Sequence, residues 1–105
     1  TVVPSVGGFN SIGCYNEIPG RALNAKSFTN STMTVERCAS FCSAYAYFGV
    51  EWSVECYCNN ALPSGSTPQT SGCNMACGGN KFQYCGGSNR LNVYKKNTTS
   101  TTSNT

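Results

Sequence analysis

Apolar residues recur with a helical period between Thr34 and Ala44, where Val35, Cys38, Ala39 and Cys42 fall on one face. Thr34 is placed to cap the first turn and Glu36 to favour its positive end. Met33 precedes the cap and should meet Cys38 one turn in, a hydrophobic staple that sets the entry of the chain. Beyond Tyr45 the pattern changes. Residues 45–58 are rich in Tyr, Phe, Val and Trp and predict strands with a tight reversal near Trp52 and Ser53, hence a hairpin after the helix. Residues 59–72 carry Pro63, Gly65, Pro68 and Gly72 among Ser and Thr and predict a surface loop. Leu91 and Val93, alternating with Arg90, Asn92 and Tyr94, predict a last strand. From Asn97 to Thr105 every residue is Ser, Thr or Asn, a disordered tether by composition.

Composition narrows the function classes. The chain has 105 residues, one small module. There is no His and no Asp, and the acidic side chains are Glu17, Glu36, Glu51 and Glu55, so few groups can move protons near neutral pH. Net charge is +3, with Arg21, Lys26, Arg37, Lys81, Arg90, Lys95 and Lys96 scattered rather than clustered, which argues against nucleic acid. Solubility rests instead on Ser, Thr and Asn, 36 residues in all, a surface suited to neutral polyols. No run of about 18 apolar residues exists to span a membrane. The chain begins at Thr1 with no basic and then apolar segment, read as a secretion signal already removed or never part of this chain. The sequons Asn30-Ser31-Thr32 and Asn97-Thr98-Thr99 mark Asn30 and Asn97 as candidate N-glycosylation sites.

Eight cysteines lie between Cys14 and Cys85, the density of a disulfide-stapled extracellular domain. Cys38 and Cys42, four apart in a helix, share a face, and so do Cys56 and Cys58, two apart in a strand. If the hairpin packs on the helix, Cys38 pairs with Cys56 and Cys42 with Cys58, or the two bridges cross. Cys14, Cys73, Cys77 and Cys85 remain. A zinc site is disfavoured because there is no C-x-x-C pair and no His.

The ordered string Gly13-Cys14-Tyr15, Met33-Thr34-Val35-Glu36-Arg37-Cys38 with Phe41-Cys42, Gly49-Val50-Glu51-Trp52 with Glu55-Cys56-Tyr57-Cys58 resembles a WSC domain. Cys73-Asn74-Met75-Ala76-Cys77 and Cys85-Gly86-Gly87-Ser88-Asn89-Arg90-Leu91 with Val93-Tyr94 continue the match across residues 13–95. The resemblance implies a small α+β fold related to PAN and apple modules, one main helix packed on a twisted antiparallel sheet. It also implies the pairs Cys14–Cys73, Cys38–Cys56, Cys42–Cys58 and Cys77–Cys85. The organisation implied is a lead-in over residues 1–12, a domain over 13–95 and the start of a Ser/Thr/Asn-rich stalk over 96–105. The implied role is a secreted or cell-surface carbohydrate-binding module, as found in fungal cell-wall stress sensors and glucan-binding lectins and appended to secreted enzymes. Such a module is not catalytic and needs no cofactor or metal. Family members often carry Asp where this chain has Gly72 and Asn80, so contacts made by those carboxylates would be missing.

A sugar ring packs its C–H face on an aromatic side chain and offers hydroxyls to amide, carboxylate and guanidinium groups. The aromatic candidates are Tyr15, Tyr47, Trp52, Tyr57, Phe82 and Tyr84. Trp52, at the expected reversal, is the one best placed for exposure, although a core position competes with that reading. Tyr57, between two stapled cysteines, should face away from them, toward solvent or a second layer. Asn74, Asn89 and Arg90 lie near Gly86 and Gly87, which let the backbone approach a ligand, with plain turn chemistry as the competing account. The carbohydrate-binding set is therefore Tyr15, Trp52, Tyr57, Asn74, Asn89 and Arg90. Glu51 and Glu55 are the only closely spaced carboxylates, and such pairs hydrolyse glycosides when a fold holds them at the required separation across a cleft, but an ion pair with Arg90 or Arg37, or a hydroxyl acceptor for bound sugar, is the simpler role. The expected partner is a polysaccharide, β-1,3-glucan first, with no nucleic acid and no membrane insertion. The module is expected to be monomeric, alone or as one of several in a longer chain. The competing function is a protein-interaction or mechanosensing ectodomain.

Overall fold

Thr34 opens the helix as its position predicts. Its backbone is extended, and its hydroxyl oxygen accepts from the Arg37 N–H at 3.0 Å, satisfying one of the unpaired donors of the first turn. In the computed structural model, which describes residues 1–97, the helix α1 runs over Val35–Phe41. It ends short of Ala44 because the chain must reverse into a strand, which it does through the bonds Ser43 N to Ser40 O and Tyr45 N to Cys42 O. Val35, Cys38, Ala39 and Cys42 are buried, and Met33 joins them in one cluster. The tether from residue 98 onward lies outside the described residues.

Nine strands accompany the helix among the described residues: β1 (Ser5–Val6), β2 (Phe9–Asn16), β3 (Lys26–Thr29), β4 (Tyr47–Glu51), β5 (Glu55–Asn59), β6 (Pro68–Gln69), β7 (Ala76–Cys77), β8 (Asn80–Tyr84) and β9 (Arg90–Lys96). The main sheet has the order β1-β2-β9-β4-β5-β3, antiparallel throughout, and β7 and β8 form a separate ribbon. Residues 1–12 contribute β1 and the first half of β2, and Phe9 lies in the core. The loop expected over residues 59–72 contains the short β6, drawn onto β2 because Asn16 Oδ1 accepts from Thr67 N at 2.7 Å and Gln69 Nε2 at 3.2 Å.

The hairpin of β4 and β5 reverses at Trp52 and Ser53, as its composition predicts. Strand alternation sends Phe48, Val50, Cys56, Cys58 and Tyr94 to the face covered by α1, and Tyr57, Leu91 and Val93 to the other. That second face is closed by Ala22 and Leu23 from the loop after β2. Gly49 lets this loop come close, since a Cβ there would lie 2.8 Å from a Leu91 methyl and 3.0 Å from a Leu23 methyl. The last strand is therefore buried on both faces. Asn92, which the alternation alone would leave polar and outward, is enclosed, and its Oδ1 accepts from Gly86 N at 2.6 Å.

All eight cysteines are paired, as Cys14–Cys73, Cys38–Cys56, Cys42–Cys58 and Cys77–Cys85. The helix-to-hairpin bridges are uncrossed. The sulfurs of Cys38, Cys42 and Cys56 come within 4.8 Å of one another, but each is spent in a disulfide and none is a thiolate ligand. No helix among the described residues is long and apolar enough to cross a membrane.

Candidate functional site

On the sheet face away from α1, antiparallel register sets Glu51 of β4 directly opposite Glu55 of β5, with Tyr57 two pairs further along on the same face. The loop after β2 folds over this end of the hairpin. Its shape follows from Ile18-Pro19-Gly20-Arg21, a turn closed by Arg21 N to Ile18 O at 3.0 Å, with Pro19 second and Gly20 third at φ 81°. Glu17 Oε1 locks the turn by accepting from Ile18 N at 3.1 Å and Ala22 N at 2.7 Å. The loop thereby delivers Arg21 above the hairpin, its Nη1 3.2 Å from Glu17 Oε2 and 3.5 Å from Glu51 Oε1. The guanidinium carbon stands 4.9 Å from the centre of the Tyr57 ring, and the Tyr57 hydroxyl donates to Glu55 Oε1 at 2.6 Å. Three of the four acidic side chains in the sequence thus gather around one cation.

Two other turns complete the surface. Gly86 packs against β4 so closely that a Cβ would meet Val50 O at 2.4 Å and the Glu51 Cα at 2.6 Å. This brings Ser88 and Asn89, the centre of a tight turn between Gly87 and Arg90, to the end of the hairpin. Asn89 O accepts from Glu17 N at 2.9 Å, which fastens this turn to the loop after β2. At the hairpin tip Ser53 N donates to Cys85 O at 2.9 Å and Gly78 N donates to Ser53 O at 3.1 Å, so the β7–β8 ribbon holds Trp52 in place.

The outcome is a cleft of about 270 Å³ lined by Arg21, Glu51, Trp52, Glu55, Ser88 and Asn89. A second cleft of about 550 Å³ is lined by Glu17, Ile18, Pro19 and Gly20 and shares Arg21 and Asn89 with the first. Trp52 is half exposed. The non-glycine residues with left-handed backbone among the described residues are Arg21 at φ 76°, Trp52 at 53°, Ser53 at 72° and Asn89 at 55°. Three of them line the smaller cleft and the fourth adjoins Trp52. Such a conformation is a steric outlier for a bulky side chain.

The charges are distributed unequally. Burial, together with a hydrogen bond to Glu17 and the charge of that neighbour, pushes the Glu51 carboxyl up to about 9, so it carries a proton at neutral pH. Burial opposes the charged form of Glu17 as well. The bonds it accepts from Glu51, Ala22, Ile18 and Arg21 outweigh this and hold it below the ordinary value. The ion pair is therefore Arg21 with Glu17, while Arg21 meets Glu51 as a neutral acid at a distance too long for a hydrogen bond. Glu51 is 3% exposed, and its buried Oε1 has no hydrogen-bond partner. Burial and the bond to Glu55 push the Tyr57 hydroxyl up, leaving it a donor.

Of the residues singled out in the sequence, Trp52 and Asn89 line the smaller cleft, and Tyr57 lies beneath it, facing the second layer. Arg90 lies behind, its side chain against Gly72 and its Nη1 donating to Asn89 O at 3.1 Å. Tyr15 packs on the second cluster, and Asn74 lines a separate cleft of about 370 Å³ with Gly72 and Tyr84. The cation beside Glu51 is Arg21, not Arg90 or Arg37. Glu17 and Arg21 are the residues that sequence reasoning passed over. Their Pro-Gly turn is legible, but its landing on β4 depends on contacts far apart in the chain.

The family model described as WSC domain matches residues 11–87. A WSC domain-containing protein of Arthroderma benhamiae is 50% identical over 95 residues, covering 89% of this chain and 13% of its own. Protein SLG1 of Saccharomyces cerevisiae is 30% identical over 97 residues, 90% of this chain and 25% of its own. Xylosyltransferase oxt of Drosophila melanogaster is 33% identical over 90 residues, 81% of this chain and 10% of its own. The chain spans a minor part of the length of each.

Proposed function

The chain belongs to the WSC domain family, and from that premise we propose that it is a non-catalytic carbohydrate-binding module for a cell-wall polysaccharide, β-1,3-glucan first among the candidates. It acts outside the cell, in the wall or at the cell surface, where its disulfides persist. It works as a monomeric unit.

The observation that carries the reading is the gathering of left-handed residues around one cleft. At bulky residues such as Arg21 and Trp52 backbone strain of this kind costs about 1–3 kcal/mol each, persists only where the surrounding structure enforces it, and clusters at ligand sites. Trp52 supplies the apolar face for a sugar ring, while Arg21, Asn89, Ser88 and Glu55 supply planar and hydroxyl groups for its equatorial oxygens. A binding role suits the carboxyls better than a hydrolytic one. Glu51 and Glu55 are neighbours on adjacent strands and project from one wall, whereas glycoside hydrolysis needs two carboxyls flanking the bond from opposite sides.

Co-sedimentation of the oxidised domain with insoluble β-1,3-glucan, chitin, cellulose and xylan tests the proposal. Wild type should be retained by glucan, and Trp52→Ala should lose roughly tenfold in affinity. Trp52→Gly should lose binding equally while melting no lower than Trp52→Ala, because glycine adopts the left-handed backbone without strain. Retention unchanged in both variants removes Trp52 from the site. A competing reading as a protein-interaction module draws on exposed Phe82 and Val2, which the Thr1 amine brings together by donating to Phe82 O at 2.7 Å. Absence of retention on every polymer favours that reading.

A further inference from the structure

We infer that the two clefts are subsites of one groove, which takes an internal run of at least two sugar units with the polysaccharide crossing the ridge formed by Arg21 and Asn89. The inference rests on reading the smaller cleft as a glycan site, and it adds the second cleft, the direction of the chain and the class of ligand: a polymer gripped along its length.

The geometry points this way on three counts. Arg21 and Asn89 line both clefts, so the clefts meet along a single ridge. A guanidinium and an amide at a junction between two sugar rings can each serve the hydroxyls on either side, since both are planar groups with several polar positions.

Next, the ridge is rigid. Glu17 N to Asn89 O joins its two loops, Arg90 Nη1 donates to Asn89 O, and Glu17 Oε2 holds the Arg21 guanidinium. Of the two ridge residues, Arg21 holds a left-handed backbone uncommon for its side chain, while Asn89 takes the same conformation as a turn residue that adopts it readily. A prearranged ridge spares the protein much of the ordering cost of binding a flexible chain.

The third count is size. At about 270 Å³ the cleft beside Trp52 falls below the range of roughly 300–1,000 Å³ usual for a ligand pocket, and the cleft beside Pro19, at about 550 Å³, falls inside it. The two walls differ accordingly. Trp52 offers an aromatic face for one ring, and the Ile18-Pro19-Gly20 turn offers an uncharged wall for the next.

Titration of ¹⁵N-labelled oxidised domain with laminari-oligosaccharides from disaccharide to hexasaccharide tests the groove, with Trp52→Ala as reference. Affinity should climb by roughly tenfold between the disaccharide and the longer oligomers and then level off. The hexasaccharide should shift the amides of Ile18, Gly20 and Arg21 together with the Trp52 indole and the Ser88 amide. If all lengths bind alike and only the Trp52 side shifts, the groove is wrong and the single cleft stands. If affinity climbs but the footprint runs from Trp52 toward Asn74 and Tyr84 instead, the groove is likewise overturned. If Trp52 responds to no oligomer, the reading of the cleft as a β-1,3-glucan site falls, and the groove with it.

Discussion

Glu51 keeps a proton that an exposed glutamate gives up, and the consequence reaches the stability of the whole fold. In the unfolded chain its carboxyl loses the proton near 4.5, and in the fold near 9, so between these values the folded state holds one proton more. Stability therefore declines as pH rises through this window and stops declining above it. Glu17 works the other way. Its lowered value adds stability above the ordinary carboxylate range, and that contribution is lost on acidification. Replacing Glu51 by Gln keeps the shape and a group able to bond Glu17, but removes the titration. Melting followed by circular dichroism at about pH 5, 7 and 9 should show a falling midpoint for wild type and a flatter one for Glu51→Gln. Equal slopes would assign the trend to another group. Of this site the sequence showed Trp52 and Asn89, because an aromatic at a reversal and an amide beside two glycines are local signals. It could not show Glu51 beside Glu17, a meeting that needs the loop after β2 to land on β4.

At the level of elements, local pattern was legible where one face of an element is buried and the other is not. The helix fits this description, with Thr34 as its cap and Val35, Cys38, Ala39 and Cys42 inward, and so does the hairpin of β4 and β5. β9 does not fit. It sits between β2 and β4 with a layer on each side, so Asn92 and Tyr94 are enclosed as fully as Leu91 and Val93. The short strands β1, β3, β6 and β7 carry too few residues for a period and owe their pairing to distant partners. One such distant contact can be tested directly. Gln83 of β8 is buried, its Oε1 accepts from Val35 N at 3.0 Å, and its amide donates to both oxygens of Glu36 at 2.8 and 2.9 Å. It thus satisfies a donor at the first turn of α1 that the helix cannot satisfy itself. Gln83→Leu should leave that N–H buried and unpaired and cost about 1–3 kcal/mol in urea unfolding, with no change in glucan retention. A cost below that range would mean that Val35 N finds another partner.

For the molecule as a whole, four disulfides do two separable jobs. Cys14–Cys73 closes a loop with sequence separation 59, and by the chain-entropy account its contribution is about 4 kcal/mol. Cys77–Cys85 spans only 8, worth about 2.5 kcal/mol by the same account, and it holds together the ribbon of β7 and β8. That ribbon grips the hairpin tip through Ser53 N to Cys85 O and Gly78 N to Ser53 O, the two bonds that fix Trp52 in its strained turn. The shorter bridge therefore matters less to the fold and more to the cleft. Replacing Cys77 and Cys85 together by Ala should cost the smaller share of stability in urea, yet weaken glucan retention severalfold at a temperature where the variant remains folded. Replacing Cys14 and Cys73 should cost more stability, and wherever that variant is still folded it should bind as wild type does, because neither residue contacts the groove. Loss of binding in proportion to loss of stability across both variants would mean that the ribbon contributes to the cleft only by keeping the protein folded.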